Sequence, residues 1–271
     1  MQTATPQGSS ARSSGPIEAV LKRDRVVVAT GVAALVALAW AYLVYVAQSG
    51  SGTGSGMAMT QFESWSAADF GLMFLMWAVM MVAMMVPTAA PMILLFATVN
   101  RRRREQAQPY VPTGVFLSGY VIVWSAFAAL ATVANWGLHV NSLLTSMMGP
   151  TSSAYLGGAL LLTAGVFQWS PLKYACLSHC RSPLGFLMSE WRDGAGGALR
   201  MGLERGGYCL GCCWLLMGLL FVLGVMNLLW IAALAAFVLM EKVIPRGLLV
   251  SRVTGLLMAG WGMWMVAAEL A

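Results

Sequence analysis

Apolar residues come in long uncharged blocks separated by short polar stretches, and the block lengths dictate the first reading of the chain. A helix needs about 20 apolar residues to cross roughly 30 Å of hydrocarbon. Val26–Val46 meets that need without a charge, as do Val111–Trp136 and Phe70–Val99, the last interrupted by Pro87 and Pro91. Ala154–Trp169 is shorter. Tyr208–Met240 is too long for one span, and Gly224–Asn227 divides it into two antiparallel helices joined by a tight turn. Gly247–Ala268 is the last block and carries Arg252 near one end, where a long side chain snorkels to the interface. The pattern predicts an all-α polytopic membrane bundle of about seven transmembrane helices.

Charge adds an orientation. The chain has 271 residues with 16 Lys and Arg against 10 Asp and Glu, a formal net charge of +6. Lys and Arg accumulate in cytoplasmic loops. With the N-terminus inside, the cytoplasmic segments hold Arg12, Lys22, Arg23, Arg25, Arg101–Arg104, Lys173, Arg181, Arg192, Arg200, Arg205, Lys242, Arg246 and Arg252, which is the whole basic inventory. The external segments 47–69, 137–153 and 224–227 hold none. The Arg101–Arg104 run follows a span directly, so it reads as a stop-transfer signal that meets anionic lipid headgroups, not as a nucleic-acid patch. Residues 1–25 read as a disordered cytoplasmic tail and 26–271 as a single transmembrane helical domain. The first span, with Tyr45-Val46-Ala47 a poor cleavage site, reads as an uncleaved signal anchor. Segment 47–69 is Gly/Ser-rich and flexible. The expected location is a bacterial cytoplasmic (inner) membrane. A content of 59% hydrophobic and 10% charged residues excludes a water-soluble enzyme of ordinary design. No loop, not even 170–207, is large enough to fold as a second domain, so any chemistry lies in the bundle or at its faces.

The five cysteines all fall within residues 176–213, in two groups of like spacing. Cys176, His179 and Cys180 stand at i, i+3 and i+4, and so do Cys209, Cys212 and Cys213. On a helix such positions share a face, with Cβ atoms about 5–6 Å apart. Ser170-Pro171 supplies an N-cap and a proline at the first helical position, so a short helix starts there, carries Lys173, Cys176 and Cys180 on one side and stops at Arg181-Ser-Pro183. Thiolates suit Cu(I), Zn or an iron–sulfur centre, and imidazole suits Zn, Cu, Fe or Ni. The six residues therefore form a candidate cytoplasm-facing site for a transition metal ion, copper or zinc, with Lys173 supplying part of the charge compensation. Free cysteine also behaves as a small core hydrophobe, but paired triplets with a histidine in one of them point to ligation. Whether the triplets make one site or two stays open.

Two weaker signals accompany the cysteines. Met73, Met76, Met80 and Met84 follow a 3-4-4 spacing and form a stripe, in a run that also includes Met81, Met85 and Met92. Thioethers bind Cu(I), yet methionine also fills irregular core gaps, and packing is the ordinary reading. Glu241 beside Lys242 reads as a solvated interface pair, with a metal ligand or counter-ion as the other reading. Met57, Met59, Glu63, Asp69 and His139 make only a loose external collection.

Met-Met-Val-Pro-Thr-Ala-Ala-Pro-Met (84–92), Gln-Trp-Ser-Pro-Leu-Lys-Tyr-Ala-Cys-Leu-Ser-His-Cys-Arg-Ser-Pro (168–183), Gly-Tyr-Cys-Leu-Gly-Cys-Cys-Trp (207–214) and Glu-Lys-Val-Ile-Pro-Arg-Gly (241–247) occur in that order. Together they resemble a bacterial family of predicted metal-binding integral membrane proteins, a domain of unknown function, over about residues 60–270. The resemblance implies a metal but no reaction. The expectation is transition-metal transport, delivery or sensing, with lipid, a metal ion and a membrane protein as partners. A thiol-redox membrane enzyme and a structural or assembly subunit of a larger membrane complex are the alternatives. No Ser/His/Asp set, paired carboxylates or phosphate loop argues for hydrolysis or nucleotide use.

Overall fold

The structure, a computed structural model, describes residues 16–51, 65–106, 110–146 and 149–270. Their helices are α1 (Pro16–Ser51), α2 (Ala67–Glu105), α3 (Thr113–Val140), α4 (Ala154–Phe167), α5 (Pro171–Arg181), α6 (Pro183–Ser189), α7 (Gly194–Gly218), α8 (Leu220–Leu223), α9 (Leu228–Val243) and α10 (Gly247–Leu270). Among the described residues there is no strand, and the fold is all-helical. Five stretches are long and apolar enough to cross a membrane: Val26–Ser49, Ala67–Glu105, Thr113–Val140, Gly194–Leu223 and Gly247–Leu270. The remaining two blocks of the seven expected are α4 and α9, with 14 and 16 residues. At about 1.5 Å per residue they reach roughly 21 and 24 Å, less than a full hydrocarbon thickness.

Several boundaries move for local reasons. The break between α8 and α9 does fall at Gly224–Asn227: Gly224 takes φ +92°, a conformation that costs glycine least. The Asn227 side chain then caps α9 by accepting from the Leu229 and Trp230 amides at 3.2 and 3.4 Å. Segment 170–207, read as a loop, is instead mostly helical, containing α5, α6 and the first half of α7. Helix α1 begins at Pro16, inside the segment read as a tail. Residues 1–15 and 52–64, with Met57, Met59 and Glu63, lie outside the described residues.

Helix α2 is the buried axis of the bundle, with core side chains from Asp69 to Asn100. Its start is fixed by a capping box in which Ser66 N–H donates to Asp69 Oδ2 at 2.8 Å and Asp69 N–H to Ser66 Oγ at 3.3 Å. At its other end Arg103 reaches Asp193 at 2.5 Å and lies over the Trp191 ring. The C-terminus of α2 and the N-terminus of α7 thus share one end of the bundle. At the opposite end Trp65 Nε1 donates to His139 Nδ1 at 3.3 Å, joining the start of α2 to the close of α3.

Where apolar side chains face apolar lipid, close backbone approach through small residues holds helices together. Helix α7 meets α3 in this way. A Cβ on Gly202 would collide with the Phe116 carbonyl, and one on Gly119 would stand 2.9 Å from the Leu203 nitrogen. Helices α4 and α10 use the same device, since a Cβ on Gly165 would stand 2.7 Å from the Gly255 carbonyl oxygen. The α3–α7 seam carries the second cysteine group, so its tightness sets that group's position.

Gly202→Leu should therefore destabilise the fold by about 1–3 kcal/mol through overpacking, read as a lowered Tm in detergent. Gly207→Ala, with nothing within 4 Å of the added atom, should leave Tm unchanged or raise it slightly, since alanine is the better helix former.

Candidate metal centre

Helix α5, with only 11 residues, is too short to hold itself in place. Its start follows from the sequence: Ser170 Oγ accepts from the Lys173 amide at 3.1 Å, and Pro171 opens the first turn. Its position follows from charge. Lys173 Nζ lies 2.8 and 3.0 Å from the two carboxylate oxygens of Glu241, and both side chains are only 2% exposed. Lys173 also donates to Gln168 Oε1, and Ser251 Oγ donates to Glu241 Oε1 at 2.5 Å. Residues from α5, α9, α10 and the close of α4 thereby meet in one polar node. At the far end of α5, Arg205 on α7 donates to the His179 and Cys180 carbonyls, each at 2.6 Å. Arg181 donates to the Ile244 and Pro245 carbonyls, each at 2.7 Å.

This arrangement corrects two expectations. Glu241 is not a solvated partner of Lys242; it is buried and holds Lys173. Lys173 is in turn directed to that carboxylate rather than to the cysteines. The physical reason is that neighbouring residues on a helix point about 100° apart, so Glu241 and Lys242 face different neighbours of α9.

Docking α5 on α7 brings sulfur together. Cys209, Cys212 and Cys213 on α7 are 2% exposed or less, and Cys180 on α5 is 6% exposed. Cys209 and Cys212 are the groups that act most strongly on the Cys180 thiol. Cys212 and Cys213 turn back on their own helix, donating to the Cys209 carbonyl at 3.1 and 2.9 Å. From α2, Met85 Sδ comes within 4.0 Å of Cys213 Sγ. Lys242 Nζ lies 3.0 Å from Cys209 Sγ and 3.0 Å from Thr88 Oγ1. Tyr120 on α3 completes the set. Its hydroxyl donates to the Met85 carbonyl at 3.0 Å and sits 3.0 Å from Cys209 Sγ, while Thr88 donates to the same carbonyl at 2.8 Å.

Cys176 and His179 stand apart from this group. The Cys176 sulfur rests on Gly211, where a Cβ would approach it to 2.7 Å. His179 is exposed, its ring stacked on Tyr208 with centroids 4.3 Å apart. Its Nδ1 faces the Ala175 carbonyl at 2.9 Å. A carbonyl only accepts, so Nδ1 carries the proton and Nε2 presents the lone pair. The fold thus separates the six expected ligands into four buried thiols and an outer Cys176/His179 pair. Among the described residues, no three Cys, His, Asp or Glu side chains converge as a ready metal-holding group, consistent with Cys212 and Cys213 being turned onto backbone. Burial raises the Cys176 thiol above the ordinary range. The neighbouring Cys209 and Cys212, with burial, raise Cys180 well above it.

Sequence reasoning overlooked Lys242, Tyr120, Thr88 and Met85 as neighbours of the thiols. Three of them lie inside quoted motifs, Met85 and Thr88 in 84–92 and Lys242 in 241–247, so the signal was present. Tyr120 has no local signal, because only the packing of α3 on α7 puts it there.

A family model described as PpoB2, copper chaperone, matches residues 74–265. No curated protein matches the chain significantly, and no solved structure does.

Two outcomes follow from the geometry. Lys173→Met should leave Glu241 buried and unpaired at a cost of about 3–5 kcal/mol, and Lys173→Met with Glu241→Leu should recover much of the lost Tm. Maleimide should label Cys176 first in the metal-free protein. Because burial raises that thiol, its labelling rate should still be climbing at about pH 9, where an ordinary thiol with a pKa of about 8.5 has begun to level off. Cys176→Ser should remove the fast phase seen by mass spectrometry.

Proposed function

The chain belongs to the PpoB2 family, described as a copper chaperone, and on that premise we propose that it is an integral membrane protein that carries Cu(I) on the thiols of Cys180, Cys209, Cys212 and Cys213. One observation supports this reading above the rest. Cys180 of α5 and Cys209, Cys212 and Cys213 of α7 are buried, with the Met85 thioether of α2 4.0 Å from Cys213 and the Lys242 ammonium 3.0 Å from Cys209. An all-sulfur donor set of thiolates and thioether is the chemistry that selects Cu(I). Four thiolates alone also suit structural zinc, so the donor that favours copper is the Met85 thioether beside Cys213.

Loading requires Cys212 and Cys213 to leave the Cys209 carbonyl and turn toward the ion, a rotation about χ1 with no backbone change. Lys242 compensates sulfur charge while the site is empty of cargo. Cys176 Sγ and His179 Nε2, at the exposed edge of α5, form the outer pair where copper arrives from or leaves to a partner. The basic residues of α2, α5, α7 and α9 favour a cytoplasmic placement for this end, with Arg101–Arg104 against anionic headgroups. That placement keeps the thiols in a reducing compartment, which disfavours the thiol-redox reading.

The test is Cu(I) titration of the purified protein in detergent, without oxygen, against a colorimetric Cu(I) chelator. Wild type should hold about one Cu(I) per chain in the buried set, and Cys209→Ser with Cys212→Ser should hold none there. Cys176→Ser with His179→Ala should keep that stoichiometry but release copper to an acceptor chelator several-fold more slowly. A double serine variant that retains the full copper content would overturn the assignment.

A further inference from the structure

The methionines of α2 form a continuous buried series. Met73, Met76, Met80, Met81, Met84 and Met85 are each 1% exposed or less. Each lies three or four residues from another, in the order 73, 76, 80, 84, 81 and 85, so successive side chains meet on the helix surface at about 5–6 Å between Cβ atoms. The series starts at Met73, whose sulfur accepts from Asn135 Nδ2 at 3.5 Å. It ends at Met85, whose sulfur stands 4.0 Å from Cys213. From residue 73 to residue 85 the helix rises about 18 Å, more than half of a hydrocarbon layer.

A second observation in the same stretch of core does not fit simple apolar packing. The indole N–H groups of Trp77 and Trp124 are buried, and among the described residues neither has a hydrogen-bond partner. An indole N–H only donates and does not hold a cation, so what these residues offer an ion is the ring face, in a stretch of core without polar partners. Trp77 lies within the methionine series, with its ring against Phe221 at 5.2 Å between centroids. The surroundings are thus thioether and aromatic faces, a lining that attracts a soft cation and offers nothing to a hydrated one.

We propose that the buried methionines of α2 form a thioether path along which Cu(I) passes between the thiol site and the opposite end of the bundle, with Met85 as the step that exchanges copper with Cys213. The inference rests on the proposal that the thiols bind Cu(I). Each step is a ligand exchange in which one Cu–S bond forms as another breaks and the ion remains Cu(I); between thioethers no proton moves, and at the Met85–Cys213 step the Cys213 thiol proton, donated to the Cys209 carbonyl in the metal-free site, is lost to solvent as the thiolate takes the ion. Three rotatable bonds let each methionine follow the ion without opening the core to water. The path closes near Asp69 and His139, which are otherwise engaged: Asp69 caps α2 with Ser66, and His139 accepts from Trp65.

The experiment uses the full chain reconstituted in vesicles of phosphatidylcholine and phosphatidylglycerol that enclose a membrane-impermeant Cu(I)-responsive dye. Cu(I) is supplied outside as a weak complex. Wild type should fill the dye faster than protein-free vesicles, and Met76→Leu with Met80→Leu should slow filling at least fivefold. Those substitutions conserve volume and should leave Tm nearly unchanged. Cu(I) stoichiometry at the thiols should be unaffected, while Met201→Leu, a buried methionine of α7 outside the series, should fill the dye at the wild-type rate. Unchanged filling in the double leucine variant overturns the path, as does wild type that fills no faster than empty vesicles. In either case copper that is still bound by the wild-type thiols and lost in Cys209→Ser with Cys212→Ser leaves the thiol assignment standing. Wild type that binds no Cu(I) removes both.

Discussion

The buried pair of Lys173 and Glu241 is the interaction on which the site depends. An 11-residue helix has little stability of its own, and α5 has no long apolar face to bury. Its start is placed by one ion pair, in which Gln168 and Ser251 satisfy remaining lone pairs and protons, and its end by the Arg205 and Arg181 hydrogen bonds. Such pairs add little net stability compared with apolar replacements, because desolvation opposes the Coulomb gain. What they do well is forbid alternatives, since any shift of α5 would strand two charges. Here that specificity decides whether Cys180 meets Cys209 and Cys212.

The same short segment of α9 performs a second task one residue later. Glu241 faces α5 and α10, while Lys242 faces α2 and α7 and closes a ring of contacts through Thr88, the Met85 carbonyl, Tyr120 and Cys209. The ring links α2, α3, α7 and α9 at the level of the sulfurs. Movement of Lys242 is therefore felt by every helix that contributes to the centre, and the position of α5 is coupled to it through a single peptide unit.

The all-helical architecture and the apolar helices long enough to cross a membrane were legible in the sequence, because apolar block length and caps are local signals. Ser170-Pro171 and Gly224–Asn227 acted as read. What was misread depends on contacts between distant segments. Glu241 and Lys242 look like a surface pair when only their neighbours along the chain are known, and nothing local says that Lys173 lies 2.8 Å away. The spacing of Cys176, His179 and Cys180 put them on one helix face correctly, but helical spacing alone does not say which edge of that face is covered. Docking on α7 buries Cys180 and leaves His179 exposed, so the histidine that made the motif persuasive lies outside the buried thiols. The α7 onset at Gly194 escaped notice because Gly194–Gly207 is too polar to extend an apolar block.

The ammonium at the thiols bears on how such a centre would release its cargo. In a low-dielectric interior, adding an unbalanced charge is costly, since Coulomb terms grow as the effective dielectric falls. Cu(I) carries the same single charge as Lys242. If the side chain, whose residue is partly exposed, swings toward the bundle end as copper enters, the buried charge is unchanged by loading or unloading. Binding is then governed by sulfur affinity, and not by the cost of charging the core. A divalent ion would leave one charge uncompensated unless another thiol ionised. A lysine that exchanged with the ion in this way would favour a monovalent soft ion on electrostatic grounds, independently of the ligand preference of sulfur.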